Sequence, residues 1–250
     1  MPVDLRGVRV LVTGASSGVG EATARHFAGR GARVALLARR SAELAQVVAG
    51  IGDDAAGITV DVTRSEDVKA AVADAAAFLG GIDVAVNAAG VADFALLDDL
   101  DDSTWHRTIE TNLSGTFYVS RAVGLLMRDS GAGSIVNVAS DLASFGVAGL
   151  AHYSAAKAGV VGLTRALAIE LAPDVRVNVV CPGPIDTPML RSGLEAEADP
   201  QQALSDKQAS VPLHRLAQAD EIARAIAFLA VDGTFATGTA LAFDGGTSAM

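Results

Sequence analysis

The chain has 250 residues, of which half are hydrophobic and only 4% aromatic, and it carries a formal net charge of −10. This length allows one large domain, and a core of small aliphatic side chains is typical of a parallel sheet covered by helices. The acidic balance disfavours nucleic acid and anionic membranes as partners.

Few residues are available for disulfides or metal sites. Cys181 is the only cysteine, so the chain cannot form an internal disulfide, which is typical of a reducing compartment. The four histidines show no metal-ligand spacing. No apolar leader opens the sequence, and no uncharged run is long enough to span a membrane. We therefore expect a cytoplasmic protein with no metal and no membrane partner.

Strand-like runs recur along the chain, at about residues 8–13, 33–37, 57–60, 82–86, 134–138, 175–180 and 239–243. Helical patterns separate most of them, which predicts right-handed crossovers and parallel strands. We expect one α/β domain over residues 1–250, a Rossmann fold with a doubly wound, seven-stranded parallel sheet and helices on both faces. Ligands of such folds bind at the carboxyl ends of the strands, and the candidate motifs follow the first six strands.

The first strand leads into the segment TGASSGVG, which has Gly14, Gly18 and Gly20 and is followed by a helical pattern. Glycines in such a turn let the backbone approach a pyrophosphate, and the N–H groups that open the helix bind its charge. A tight strand-to-helix turn with no ligand would need the same glycines. The position of the turn, after the first strand and directly before a helix, favours phosphate binding.

A long helix is predicted over residues 103–128, because Trp105, Ile109 and Leu113 follow helical spacing. Asn112 places a polar amide beside this apolar stripe. Asparagine has a low helix propensity and tends to hydrogen-bond the local backbone, so its position indicates a function or a kink. A solvated asparagine on a regular helix is the alternative.

The segment HYSAAKAGVVG places Tyr153 and Lys157 four residues apart, on one face of a predicted helix. A tyrosine that exchanges protons near neutral pH needs its pKa lowered from about 10. A lysine ammonium can supply the required free energy, about 4 kcal/mol at roughly 4 Å and an effective dielectric constant of about 20. The pair is therefore a candidate acid–base centre, although an amphipathic tyrosine beside a solvated lysine has the same spacing.

Residues 186–212 mix apolar and charged side chains without a firm period, and we interpret them as a substrate lid. Two solvated helices are the alternative. The candidates for an apolar substrate pocket are Leu142, Ala143, Phe145 and Leu190. The sequence carries no signal for the identity of the substrate.

Several motifs occur together and in order along the chain. They are TGASSGVG, Asp61-Val62, Asn87-Ala88-Ala89-Gly90, Asn112, Ser140, Tyr153-x-x-x-Lys157, Pro182-Gly183 and Asp244-Gly245-Gly246. In this combination the chain resembles, over its whole length, the short-chain dehydrogenase/reductases of the compact single-domain type, and in particular their NADP-dependent carbonyl and 3-oxoacyl reductases. Ser140 stands thirteen residues before Tyr153, as the pattern of that family requires.

The resemblance implies an oxidoreductase that transfers a hydride reversibly between a nicotinamide cofactor and a ketone or secondary alcohol. It implies that Tyr153 is the general acid for reduction and the general base for oxidation, while Ser140 binds the substrate oxygen. Lys157 would lower the pKa of Tyr153 and bind the nicotinamide ribose, and Asn112 would hold a water that links Lys157 to solvent. For Ser140, a strand-end serine that bonds the backbone is the alternative.

The same resemblance assigns the cofactor contacts. They are Gly14, Ser16, Ser17, Gly18, Val19, Gly20, Arg39, Asp61, Val62, Asn87, Ala88, Tyr153, Lys157, Pro182, Gly183, Ile185 and Thr187. Asp61 would bond the adenine amine, or would only cap the next helix. Ile185 and Thr187 would reach the nicotinamide carboxamide. Ala88 stands where the family has a second asparagine, and we expect it to contact the cofactor through its backbone.

The end of the second strand indicates NADP(H) rather than NAD(H). NAD-preferring relatives have an acid there for the ribose 2′-hydroxyl, whereas this chain has Ala38 followed by Arg39 and Arg40. Because a guanidinium binds a 2′-phosphate well, we expect Arg39 to be the main contact and Arg40 a weaker one. Ser17 opposes this preference, since many NADP-using relatives have a basic residue there. Two solvated arginines are the alternative.

A non-catalytic dinucleotide-binding sensor or scaffold with the same fold is the alternative function. The intact set of four catalytic groups argues against it. A nucleotide-sugar epimerase or dehydratase would need a different glycine spacing and a longer substrate region. The resemblance also implies a homotetramer, with interfaces at the helices near residues 103–128 and 152–172 and at the terminal segment LAFDGGTSAM.

Overall fold

A computed structural model of the protein describes residues 4–249. Strands alternate with helices along the chain, as the hydrophobic pattern predicts. The strands are β1 (Arg9–Thr13), β2 (Arg33–Ala38), β3 (Ala55–Thr59), β4 (Val84–Asn87), β5 (Gly133–Val138), β6 (Val175–Pro182), β7 (Ile185–Asp186), β8 (Ala217–Gln218) and β9 (Ala240–Phe243). The helices are α1 (Gly18–Ala28), α2 (Ser41–Ile51), α3 (Ser65–Leu79), α4 (Asp102–Ile109), α5 (Gly115–Ser130), α6 (Ala151–Glu170), α7 (Pro188–Glu195), α8 (Pro200–Ala209) and α9 (Ala219–Ala227).

Seven of these strands form one sheet in the order β3-β2-β1-β4-β5-β6-β9, and their pairings are parallel. The chain runs outward from β1 to β3 on one side and then returns to place β4, β5 and β6 on the other. This arrangement confirms the doubly wound α/β Rossmann fold and puts a topological switch point between β1 and β4. The strands β7 and β8 form a separate two-residue parallel ladder.

The sheet is apolar on both faces, which is why helices cover both of them. Successive residues of a strand point to opposite faces. Val12 of β1 therefore belongs to one buried cluster, together with Phe27 of α1 and Ile226 of α9. Leu11 belongs to the other, together with Val123 of α5.

A buried polar network ties the carboxyl ends of the central strands together. The Asn87 side chain donates to Asn137 Oδ1 on the neighbouring strand at 2.8 Å and to Ser120 Oγ on α5 at 2.9 Å. Asn137 in turn donates to Thr164 Oγ1 on α6 at 2.9 Å. Thr13 Oγ1 at the end of β1 accepts from the backbone N–H groups that follow Asn87, each at 3.2 Å. The network holds strands and helices in register at the rim where ligands bind.

The helix predicted over residues 103–128 forms without a break, but it is not α-helical throughout. A π-helical turn, Glu110–Ser114, separates α4 from α5. Asn112 lies in this turn, and its side chain donates to the carbonyl of Thr108 at 3.0 Å and to that of Val91 at 2.9 Å. Because the amide competes with backbone donors for these carbonyls, the α-helical ladder is interrupted there, as π-turns at functional sites often show.

Candidate active site

A cleft opens at the carboxyl ends of the strands, where the switch point predicts it. Seventeen of the nineteen residues proposed from the sequence line this cleft. They are Gly14, Ser16, Ser17, Gly18, Val19, Gly20, Arg39, Val62, Ala88, Asn112, Ser140, Tyr153, Lys157, Pro182, Gly183, Ile185 and Thr187. Asp61 and Asn87 lie outside the lining.

The glycine turn after β1 is compact, and side chains would disrupt it. Gly14 and Gly18 have φ angles of +66° and +56°, in the left-handed region that favours glycine. A Cβ on Gly20 would lie 2.3 Å from the carbonyl oxygen of Gly14. Ser17 at the N-cap of α1 makes no side-chain capping bond, so the first N–H groups of this helix face the cleft without a side-chain partner from their cap. A glycine turn that leads into a helix N-terminus is suited to hold a phosphate group, and phosphate binding here stays a prediction.

Two arginines border the same end of the cleft. Arg40 Nη2 donates to Ser16 Oγ at 2.9 Å and to Ser17 Oγ at 2.6 Å, so its guanidinium is held against the glycine turn. Arg39 is half-exposed, and its Nη1 lies 3.9 Å from Asp61 Oδ2. The structure therefore gives Arg40 a more closely held position than the sequence suggests, and it places positive charge beside Ser17, where the chain lacks a basic residue.

Asp61 and Asn87 are engaged elsewhere. Asp61 Oδ1 accepts from the N–H and hydroxyl of Thr63 at 3.0 and 2.9 Å, which forms a turn ahead of α3 rather than a cap of that helix. Its contact with adenine stays a prediction. The Asn87 side chain points into the polar network of the sheet, and the expected cofactor contact of this residue stays a prediction. Ala88 and Ala89 line the cleft in its place.

The four proposed catalytic residues come together from three elements. Ser140 follows β5, Tyr153 and Lys157 lie on α6, and Asn112 lies in the π-turn. Lys157 Nζ lies 5.5 Å from the centre of the Tyr153 ring and donates to the carbonyl of Val138 at 2.9 Å. All four line the cleft that also contains the glycine turn.

The electrostatics of Tyr153 differ from the sequence expectation. Burial raises its pKa to about 12, hydrogen bonding to Ser140 acts in the opposite direction, and the charge of Asp141 raises it further. Burial lowers the pKa of Lys157 to about 8. The causes of the Tyr153 shift do not include Lys157, so the expected lowering of the Tyr153 pKa by this lysine stays a prediction. The Lys157 ammonium is directed at a backbone carbonyl, and desolvation of the phenolate dominates.

Both the nitrogen and the oxygen of the Asn112 side-chain amide are hydrogen-bonded within the protein. Besides the two carbonyls that it donates to, its Oδ1 accepts from the N–H of Val91 at 3.2 Å. Its proposed water-holding role stays a prediction.

Gly90 is a site residue that the sequence analysis did not single out. A Cβ there would lie 2.7 Å from Asn112 Oδ1 and 3.7 Å from Lys157 Nζ, so a glycine lets the chain pass between these groups. Its position in the Asn87–Gly90 motif is the sequence feature that could have identified Gly90 as a site residue.

The predicted lid contains two short helices. Residues 186–212 include α7 and α8, and neither helix buries a residue. Within residues 186–212 the cleft is lined by Thr187, Pro188 and Met189, at the start of α7. The four residues proposed for the apolar pocket do not line this cleft, whereas Met189 does. Closure of the lid stays a prediction.

Residues 4–249 contain neither a cluster of metal ligands nor a membrane-spanning helix. Within that range, no group of three or more His, Cys, Asp or Glu side chains is placed to hold a metal ion. The same part of the chain contains no helix that is long and apolar enough to cross a membrane.

Known proteins resemble the chain over nearly its whole length. The family model described as enoyl-(acyl carrier protein) reductase matches residues 14–248. Cis-4-hydroxycyclohexanecarboxylate dehydrogenase of Sinomonas cyclohexanicum is 42% identical over 245 residues, which cover 96% of each chain. A 3-oxoacyl-(acyl-carrier-protein) reductase of Vibrio cholerae is 38% identical over 251 residues, or 98% of each chain.

A solved structure shows the same likeness in three dimensions. A crystal structure of an actinorhodin polyketide ketoreductase variant with NADPH has a TM-score of 0.93 and 37% identity, and the match covers 100% of each chain. The chain therefore belongs to the short-chain dehydrogenase/reductase family and is an oxidoreductase of the alcohol–ketone type.

Proposed function

We propose that the protein transfers a hydride reversibly between NADP(H) and a ketone or secondary alcohol, with Tyr153 as the general acid and base. The observation that carries this proposal is a single cleft that contains both the glycine turn, as a candidate phosphate cradle, and a Ser140–Tyr153–Lys157 group. A sensor or scaffold would need the cradle, but it would have no use for a half-buried phenol and a buried ammonium beside it.

The residues of the cleft fit a nicotinamide dinucleotide. The glycine turn and the N-terminus of α1 would hold the pyrophosphate, because the turn is too tight for a side chain on Gly20 and its backbone can approach a ligand closely. Arg39 and Arg40 would bind a 2′-phosphate, while Ile185 and Thr187 would contact the nicotinamide. The bound cofactor supplies the hydride, and the protein supplies orientation and the proton.

Proton transfer follows from the state of Tyr153. With a pKa of about 12 the phenol carries its proton at neutral pH, so it can donate to the alkoxide that forms on the substrate. Lys157, whose pKa is about 8, still carries most of its charge there and stabilises the phenolate that remains. In the oxidative direction the phenolate accepts the proton of the alcohol.

The preference for NADP(H) rests on charge at the end of β2. Ala38 supplies no carboxylate to repel a 2′-phosphate, and Arg39 and Arg40 both border the cleft. We expect Arg39→Ser and Arg40→Ser each to lower kcat/KM for NADPH by about 10- to 100-fold, as expected for the loss of a charge-assisted hydrogen bond. The value for NADH should change little.

Steady-state kinetics with both coenzymes would measure this preference. Arg128→Ser is the matched control, because Arg128 is exposed at the end of α5 and does not line the cleft. Equal losses for NADPH and NADH, or no loss in either variant, would contradict the proposed 2′-phosphate contacts.

The activity itself is tested with a panel of ketones and alcohols and both coenzymes. The panel should contain a 3-oxoacyl thioester and a cyclohexanone carboxylate, because the relatives act on compounds of these kinds by name. NADPH oxidation with at least one ketone, and its loss in Tyr153→Phe, are the expected results. Coenzyme binding without turnover on any member would favour the sensor instead. A homotetramer and a cytoplasmic location stay predictions.

A further inference from the structure

Asp141 is a buried carboxylate directly behind the active-site serine, and the reaction as described so far gives it no part. It is 7% exposed, as is Ser140. The Ser140 hydroxyl donates to Asp141 Oδ1 at 2.9 Å, and the backbone N–H of Leu142 donates to the same oxygen at 2.9 Å. A buried carboxylate with such short contacts fixes the groups around it.

The second oxygen of Asp141 reaches a distant part of the chain. Thr247 Oγ1, 106 residues further on, donates to Asp141 Oδ2 at 2.9 Å. Thr247 lies in a short 3-10 turn, Thr247–Ala249, close to the end of the described chain. The carboxylate of Asp244 anchors this turn by accepting from the N–H groups of Gly246 and Ser248, each at 2.9 Å. One carboxylate thus links the active-site serine to the C-terminal turn.

The hydrogen count determines what Ser140 can do. A hydroxyl has one hydrogen, and an ionised carboxylate can only accept. While Asp141 holds that hydrogen, Ser140 Oγ presents lone pairs, one of which accepts from the N–H of Leu142 at 3.2 Å. The negative charge of Asp141 raises the pKa of Tyr153, whereas hydrogen bonding to Ser140 lowers it, so it is the carboxylate that favours a protonated tyrosine.

We propose that Asp141 is a positioning residue for the reaction: it holds the Ser140 hydroxyl, places a negative charge close to Tyr153, and ties the C-terminal turn to the active site through Thr247. The proposal rests on the function proposed above only for its kinetic consequences. The hydrogen bonds on which it depends lie within the protein.

Other ionisable groups around Tyr153 belong to the same environment. Lys157 faces the tyrosine ring from α6. Cys181 on β6 interacts electrostatically with Lys157, Asp141 and Asp244. None of these changes in the variants below, so a change in the titration of Tyr153 reports on Asp141.

A direct test is the ultraviolet titration of tyrosine in the protein without substrate. The chain has two tyrosines, so Tyr118→Phe leaves Tyr153 as the only phenol. In that background, Asp141→Asn removes the charge at nearly constant shape and lets the amide donate to Ser140. We expect the phenol of the Asp141→Asn variant to ionise about one pH unit or more below that of the parent. Circular dichroism at each pH defines the range in which both proteins are folded.

The kinetic counterpart uses alcohol oxidation, which requires the phenolate. Asp141→Asn should lower the maximal rate by on the order of tenfold, because a small misplacement of a reacting group is costly. The rise of the rate with pH should also move to lower pH. Asp129→Asn, the same change at an exposed site, should alter neither property.

Variants of Thr247 distinguish the hydrogen bond to the C-terminal turn from the effect of the Asp141 charge. Thr247→Val removes the hydroxyl without changing any charge, and we expect a loss of rate of a few-fold with the tyrosine titration unmoved. Thr247→Ser keeps the hydroxyl and should retain the wild-type rate. Equal rates in Thr247→Val and Thr247→Ser would contradict the proposal that the Thr247 hydroxyl ties the C-terminal turn to the active site.

An unchanged tyrosine titration in folded Asp141→Asn would overturn the proposal, even if the variant were slower. This outcome differs from failure of the proposed function. In that case the wild-type protein would turn over no substrate with either coenzyme, while the titration difference between the parent and Asp141→Asn would persist.

Discussion

Tyr153 keeps its proton at neutral pH because it ionises within a desolvated cleft. Burial raises its pKa to about 12, against the effect of its hydrogen bond to Ser140. Lys157 lies beside the ring, but its own burial lowers its pKa to about 8. Tyr153 can therefore donate a proton, and the Lys157 ammonium beside it can stabilise the phenolate that results.

These two pKa values predict different pH dependences for the two directions of reaction. Ketone reduction should be independent of pH below about 8 and should decline above it, as Lys157 loses its charge. Alcohol oxidation should rise with pH, because it requires the phenolate. Measurement of kcat/KM against pH in both directions checks this. A reduction rate that rises from pH 6 to pH 8 would contradict a protonated Tyr153 as the acid.

Replacement of the phenol isolates its contribution. Tyr153→Phe should lower kcat by about 10²- to 10⁴-fold, the usual range for loss of a general acid, while NADPH binding measured by fluorescence is retained. Tyr118→Phe, on α5, is the control and should preserve both activity and binding. Loss of coenzyme binding in Tyr153→Phe would show that the residue acts mainly on the cofactor.

Contacts of the residues at its N-terminus stabilise helix α9. Helix α9, which packs against α1 in one core layer, begins with a reciprocal capping arrangement between Gln218 and Glu221. Glu221 Oε2 accepts from the N–H of Gln218 at 2.8 Å, and the carboxylate pairs with Arg215 at 2.7 Å. The pair and the cap lower the pKa of Glu221 from 4.5 to about 2.

This lowered pKa predicts a contribution to stability that depends on pH. Because the folded-state pKa lies below the unfolded value, the contribution is present above about pH 4.5 and is lost as the pH falls toward about 2. Glu221→Gln should lower the free energy of unfolding by about 1 kcal/mol at pH 7, the usual size of a cap. Urea unfolding at pH 7 and pH 3.5 measures the difference, which should shrink at the lower pH.

Glu197→Gln is the control for charge alone, since Glu197 is exposed between α7 and α8 and caps neither helix. It should be neutral at both pH values. A Glu221→Gln difference that grows on acidification would contradict the assigned sign.

Taken as a whole, the molecule leaves apolar side chains exposed where the family resemblance implies interfaces. Leu125 and Leu126 on α5 are 43% and 44% exposed, and Ile169 on α6 is 80% exposed. Light scattering should therefore give the mass of a tetramer. Leu126→Asp should reduce the mass, because a charge at a buried contact is costly. Leu97→Asp, at an exposed loop position, should leave it unchanged, and a monomeric wild-type protein would contradict the expected assembly.

The sequence alone determined the fold class and most of the cleft. Alternating apolar runs specify parallel strands with helices between them, and local spacings, such as the glycine turn or Tyr153 and Lys157 on one helix face, are determined over a few residues. Parallel topology then brings the strand ends to one edge, so motifs far apart in the chain are expected to meet.

Only the tertiary structure decided the burial, the pKa values and the long-range hydrogen-bond partners of these groups. The pKa of Tyr153 depends mainly on burial, which is set by many neighbours that are distant in the sequence. The position of Arg40 against Ser17 and the bond from Thr247 to Asp141 join segments 23 and 106 residues apart. Local periodicity carries no information about such pairs, because their distances are set by the packing of whole elements.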